Sequence, residues 1–139
     1  MSLSATSKLG VILFAHGARD PRWAEPFLRV AEDVRKAAPG LALELAYLEF
    51  LEPGLREAAE RLVRSGSNAI RIVPLFFGRG GHLREAVPKL VAETAAALPE
   101  VSFELAGAAG EDPAVVDAIA AFCLRVATLG IEAGADDSR

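Results

Sequence analysis

Two histidines are the whole imidazole supply of this 139-residue chain, and each sits just behind an apolar run. His16 follows residues 10–15 (GVILFA); His82 closes a glycine-rich stretch, 77–81 (FGRGG), behind residues 69–75 (AIRIVPL). Neutral imidazole suits borderline divalent ions such as cobalt, iron, nickel and zinc. Two nitrogens alone fall short of the three or four protein ligands of a structural or hydrolytic zinc centre. Such an open site suits a metal that must be handed on. The plainer reading makes each histidine a polar loop residue satisfied by a local hydrogen bond. Their shared position, outside any apolar helical stripe, favours the paired reading.

Glu49 lies among apolar neighbours in 47–51 (YLEFL). A carboxylate there should be partly desolvated, the setting in which it becomes a better proton acceptor. The alternatives are that it caps a helix or pairs with Arg71. Glu52 suits the start of a helix at Pro53, where negative charge is favourable. Arginines gather at the same places: Arg19 and Arg22 beside Asp20, then Arg79 and Arg84 with no acid between them. A chain with a formal charge of −4 that collects cations at one edge invites an anionic small molecule and argues against nucleic acid. Gly78, Gly80 and Gly81 allow unusual backbone shapes near a ligand, but no Lys-Ser/Thr follows, so they form no phosphate-binding Walker loop. Phe77 could stack on a flat ligand, whereas Phe76 and Cys123 read as core.

The elements that must position these groups repeat a simple rhythm. Strands are expected at 10–15, 41–48, 69–75 and 101–106, alternating with helices at 24–38, 53–64, 83–98 and 113 to about 127. Pro39-Gly40, Ser65-Gly66 and Pro99 punctuate them, and Asp112-Pro113 is an N-cap and N1 pair. Strands joined through whole helices run parallel. The prediction is a doubly wound α/β fold, a four-stranded parallel sheet with helices on both faces, whose ligands bind beyond the carboxyl ends of the strands. Both histidines, Glu49 and the four arginines fall at that edge.

A content of 52% hydrophobic residues excludes general disorder, and 27 alanines against 9 aromatics suit close helix packing. One cysteine permits no internal disulfide and fits a reducing compartment. The six-residue run 10–15 is too short to span a membrane and lacks a cleavage pattern, so a cytoplasmic protein is expected. The expected organisation is one domain over residues 8–130, with 1–7 and 131–139 as flexible termini.

Residues 14–22 (FAHGARDPR), 47–53 (YLEFLEP), 73–82 (VPLFFGRGGH) with Pro88, and 110–113 (GEDP) together resemble the sirohydrochlorin chelatases. These are ATP-independent class II tetrapyrrole chelatases, here in their short single-domain form. The resemblance implies insertion of cobalt or iron into sirohydrochlorin, for cobalamin or siroheme. It matches His16 and His82 to the metal-binding histidines and Glu49 to the carboxylate that helps take the pyrrole protons. Substrate contacts are expected from Arg19, Arg22, Phe77, Arg79, Gly80, Gly81 and Arg84. No tightly bound cofactor is expected; the divalent metal, Co²⁺ or Fe²⁺ with Ni²⁺ as a further option, is a substrate. A homodimer is implied, without membrane or nucleic-acid partners. One departure stands out: relatives commonly carry aspartate where this chain has Ala86, with Glu85 as the neighbouring replacement. It motivates an alternative, a non-catalytic tetrapyrrole or metal carrier of the same fold.

Overall fold

The order of elements is β1 (Leu9–Ala15), α1 (Glu25–Ala37), β2 (Ala42–Tyr47), α2 (Leu55–Arg64), β3 (Ala69–Pro74), α3 (Gly81–Ala97), β4 (Ser102–Leu105) and α4 (Pro113–Asp136), with 3-10 turns at Pro21–Ala24 and Ala109–Glu111. This computed structural model describes residues 8–78 and 80–136, without the side chains of His82 and of residues 130–136. All strand pairs are parallel, in the order β2-β1-β3-β4. The chain first steps outward from β1 to β2 and then returns across β1 to β3. Right-handed crossovers therefore put α1 on one face and α2 and α3 on the other. The doubly wound α/β architecture is as the sequence predicts.

Side-chain alternation divides the strands between two cores. Ile12, Phe14, Ala46, Ile70 and Ile72 face Leu55, Ala58, Ala59 and Leu62 of α2 and Val87, Leu90 and Val91 of α3. The intervening Leu13, Ala15, Leu43, Leu45 and Tyr47 face Phe27, Ala31 and Val34 of α1. In α2 the buried positions fall three and four residues apart, one stripe of an amphipathic helix.

Local chemistry sets the boundaries. Asp20 accepts the backbone N–H of Arg22 at 2.9 Å, opening the 3-10 turn that leads into α1. Asp112 Oδ1 accepts the N–H groups of Ala114 and Val115 at 2.8 and 3.3 Å, capping α4 as its Asp-Pro pair predicts. The larger departures from expectation are at three helix boundaries. Helix α2 begins at Leu55 with Gly54 as its N-cap, rather than at Pro53, so Glu52 lies ahead of its first turn. Helix α3 begins at Gly81 rather than Leu83, because the Arg84 N–H already reaches the Gly80 carbonyl at 2.9 Å. Helix α4 continues to Asp136, well past the expected end near Ala127. Cys123 is exposed on α4 rather than buried in a core, since this helix stands off its own sheet. Among the described residues no helix is long and apolar enough to cross a membrane.

Candidate functional site

The pairing of β1 with β2 does not stop where the strands end. Leu48 N–H donates to the Ala15 carbonyl at 2.9 Å, and Glu49 N–H donates to the His16 carbonyl at 3.0 Å. This extra rung sets His16 and Glu49 side by side at the carboxyl edge of the sheet. Their side chains meet there, with His16 Nε2 3.0 Å from Glu49 Oε2. Gly17 is what lets the two backbones approach: its φ is 97°, and a Cβ on it would collide with the Glu49 carbonyl oxygen. The Phe76 ring stands edge-on behind the imidazole, 6.2 Å between centroids.

Neither member of the pair is sealed from water. The His16 and Glu49 side chains are 43% and 50% exposed, so Glu49 is not the wedged, desolvated carboxylate its apolar neighbours suggest. Nor does it pair with Arg71, which binds Glu104 across β3 and β4 at 2.6 Å. What defines Glu49 is its contact with imidazole. When Nε2–H donates to Glu49, the tautomer is fixed and Nδ1 keeps its lone pair for a metal or a proton.

Beyond Glu49 the chain makes a tight turn closed by the Leu51 N–H donating to the Glu49 carbonyl at 2.8 Å. Phe50 occupies its centre with φ 70°, a conformation costly for an L side chain. Its exposed ring carries the Arg19 guanidinium, 4.7 Å from the ring centroid. Phe50 lies within the 47–53 motif, yet nothing in the sequence marks it out; the backbone conformation and the arginine above it do.

The remaining rim residues behave differently from one another. Arg22 is clamped on Asp20, its Nη2 2.8 Å from Oδ2 and its Nε within 3.2 Å of both oxygens. The side-chain hydrogen bond from Arg22 holds the Asp20 carboxyl below the ordinary aspartate range and raises the guanidinium in turn. Phe77 is 71% exposed, whereas Phe76 is buried, the core position expected of it. Arg84 is exposed in the first turn of α3. Gly78, Gly80 and Gly81 border open space and none has a positive φ, so backbone crowding does not explain them. Gly110, like Gly17, is required by crowding: a Cβ there would strike the Phe77 backbone. Arg79 lies outside the described residues, as does the His82 side chain; the His82 backbone stands in the first turn of α3. Ala86 is half-buried and Glu85 exposed. Adjacent helix positions do not share a face, so Glu85 does not stand in for an acid at position 86. Among the described residues no three or more metal-ligating side chains converge.

A doubly wound parallel domain with an open imidazole–carboxylate pair at its ligand edge defines the class. Residues 10–124 match the family model CbiX. The chain belongs to that family, the sirohydrochlorin cobaltochelatase and class II chelatase group that its motifs resemble. It is 34% identical over 86 residues to the sirohydrochlorin cobaltochelatase of Sulfolobus acidocaldarius, covering 62% of this chain and 68% of that protein. With the sirohydrochlorin cobaltochelatase of Saccharolobus solfataricus it shares 37% over 83 residues, 60% of this chain and 63% of the relative. The matches thus span about two thirds of these curated relatives. Among solved structures, a CbiX protein of Marinobacter aquaeolei VT8, described with cobalamin (vitamin B12) biosynthesis, superposes with a TM-score of 0.76 at 32% identity, over 84% of this chain and 95% of the other. SirB from Bacillus subtilis, solved with Fe³⁺, has the same fold at a TM-score of 0.71 and 24% identity, over 80% of this chain and 44% of SirB.

Proposed function

We propose that this protein inserts a divalent metal, cobalt or iron, into a sirohydrochlorin-like tetrapyrrole without ATP. The observation that carries this reading is the His16–Glu49 pair at 3.0 Å on the ligand edge of a CbiX-family sheet. Insertion needs ligands that bind a cation and then let it go, and a base for the two pyrrole N–H protons. His16, oriented by Glu49, offers Nδ1 to the metal; His82, on the first turn of α3, is the second metal ligand. Glu49, half-exposed and beside the metal ligand, takes the departing protons. Because the macrocyclic chelate itself binds the metal strongly, no phosphate-binding loop is called for.

The substrate is held by charge and by flat apolar surface. Arg19, resting on Phe50, presents its guanidinium to a macrocycle carboxylate; Arg79 and Arg84 extend the same rim. Arg22 can join only by leaving Asp20, so its part is the weaker one. Phe77 lies against the macrocycle face, with Gly80 and Gly81 keeping the neighbouring backbone low. One domain, residues 8–130, makes one wall of such a site. A second copy of the chain in a cytoplasmic homodimer makes the other.

Ala86 favours a second reading, a tetrapyrrole or metal carrier that keeps the pocket without turnover. Incubating the pure protein with sirohydrochlorin and Co²⁺ or Fe²⁺, and following the absorbance change, separates the two. Acceleration over the uncatalysed reaction supports the enzyme. Tight tetrapyrrole binding with no acceleration by either metal leaves the carrier.

A further inference from the structure

The turn after Glu49 holds its aromatic side chain where folding gains nothing from it. Leu48 packs against the core beneath α2 and α3, and Leu51 against the core beneath α1. Phe50, between them, joins neither and is 53% exposed. Its backbone is left-handed, with φ 70°, a conformation that penalises a β-carbon and spares a glycine. An exposed ring on such a backbone is unfavourable twice over. Outliers of this kind persist only where the surrounding structure enforces them, and they cluster at active sites and ligand clamps. The enforcement is visible here. The Leu48 and Glu49 N–H groups are tied to the Ala15 and His16 carbonyls, the Leu51 N–H to the Glu49 carbonyl, and the Tyr47 N–H to the Pro53 carbonyl at 2.9 Å.

What the ring meets is Arg19, whose guanidinium carbon lies 4.7 Å from the ring centroid. The two arginines of this segment are held in opposite ways. Arg22 is neutralised by Asp20 at 2.8 Å. Arg19 is exposed and, among the described residues, has no carboxylate within ion-pair distance. A ring face attracts the guanidinium without cancelling its charge, which stays available to an incoming anion. The segments 16–19 and 49–50 are thus joined twice, His16 to Glu49 at 3.0 Å and Arg19 to Phe50. One junction holds the imidazole–carboxylate pair; the other holds an unneutralised cation three residues along the chain.

We propose that Phe50 is a positioning residue: its ring fixes Arg19 relative to the His16–Glu49 pair, so that a substrate carboxylate bound by Arg19 brings the macrocycle nitrogens to His16. This rests on the chelatase reading above and assigns the side chain that makes its charged rim rigid. Phe50 itself touches no reacting atom. Ordering a long arginine before the substrate arrives reduces the side-chain freedom lost on binding. The same anchoring sets where the macrocycle lies, on which the proton transfers depend.

Equilibrium binding of metal-free sirohydrochlorin, followed by its absorbance, tests the assignment without turnover; initial rates with Co²⁺ accompany it. Phe50→Ala is expected to weaken binding about two- to fivefold, the scale of one exposed cation–π contact. The tetrapyrrole KM should rise in step while the Co²⁺ dependence stays as in wild type. Phe50→Tyr, which keeps a ring face, should restore wild-type affinity. The Arg19→Ala/Phe50→Ala double variant should bind as Arg19→Ala alone does, because the ring acts only through the arginine. Phe50→Gly removes the ring and relieves the backbone, so it should weaken binding while holding or raising the urea midpoint. A side chain kept for the fold would lower that midpoint on removal, and a fall there overturns the proposal. Unchanged binding in Phe50→Ala, or full additivity with Arg19→Ala, also overturns it and leaves the chelatase reading standing. A wild type that binds no sirohydrochlorin overturns both.

Discussion

The two faces of the sheet are built to different degrees of completion. On one, α2 and α3 close over Ile12, Phe14, Ile70, Ile72 and Val87, none more than 1% exposed. On the other, α1 closes over β1 and β2 while β3 and β4 keep an ion pair and two half-covered apolar residues at the surface. The difference separates two jobs within one small chain. The sealed face holds the fully buried core; the open face, with α4 standing clear of it, leaves apolar side chains at the surface. The candidate site lies at the carboxyl edge between them, with Phe76 behind His16 belonging to the sealed core and Phe77 to the open side.

Substitutions should expose that contrast. Phe14→Ala removes a fully buried ring from the sealed face. It should cost about 3–5 kcal/mol, seen as a large fall in the urea midpoint at unchanged slope; a loss below about 1 kcal/mol would mean the core is looser than described. Next comes Leu62→Ala, also buried on that face, at about 2–5 kcal/mol in the same measurement. On the open side, Arg71→Ala breaks an exposed ion pair with Glu104 and should change stability by less than about 1 kcal/mol. A larger loss would show that this half of the sheet is structurally sealed after all. The smallest effect concerns Asp20. Its lowered pKa means that its bond to Arg22 stabilises the fold above the ordinary carboxylate range and that this contribution is lost as pH falls through the lowered value. Arg22→Gln should return the Asp20 titration, followed by carboxyl NMR, toward the ordinary aspartate value. An unmoved titration would place the cause elsewhere.

Much of the sealed face can be read from the chain. Continuous apolar runs ended by proline and glycine give the strands, and stripes such as Leu55-Ala58-Ala59-Leu62 give the helices packed on them. Parallel strands joined through helices put every strand's carboxyl end at one edge, which is where the polar residues gather; the order β2-β1-β3-β4 comes from the structure. The His16–Glu49 contact is only half legible. The edge is predictable, but the 3.0 Å contact comes from one extra rung of ladder that Gly17 permits. The strained Phe50 and its arginine give no periodic signal at all. Helix α4 is the opposite case. Its apolar spacing is plain in the sequence, yet an apolar seam looks the same whether it covers its own sheet or another's. The spacing around Cys123 points to a core for that reason, whereas its thiol is exposed.

The account rests most heavily on metal handling by the edge pair. The direct measurement is the initial rate of absorbance change of sirohydrochlorin across a Co²⁺ titration, for wild type, His16→Ala and Glu49→Gln at matched folded concentration. The account predicts a wild-type rate well above the metal-only background. His16→Ala should need more metal and turn over at least about tenfold more slowly, the scale set by losing one ordered ligand or its partner. Glu49→Gln should lose rate most where a base is needed, flattening the rise with pH. A wild-type rate equal to background with both Co²⁺ and Fe²⁺, or unchanged metal dependence in His16→Ala, would contradict it.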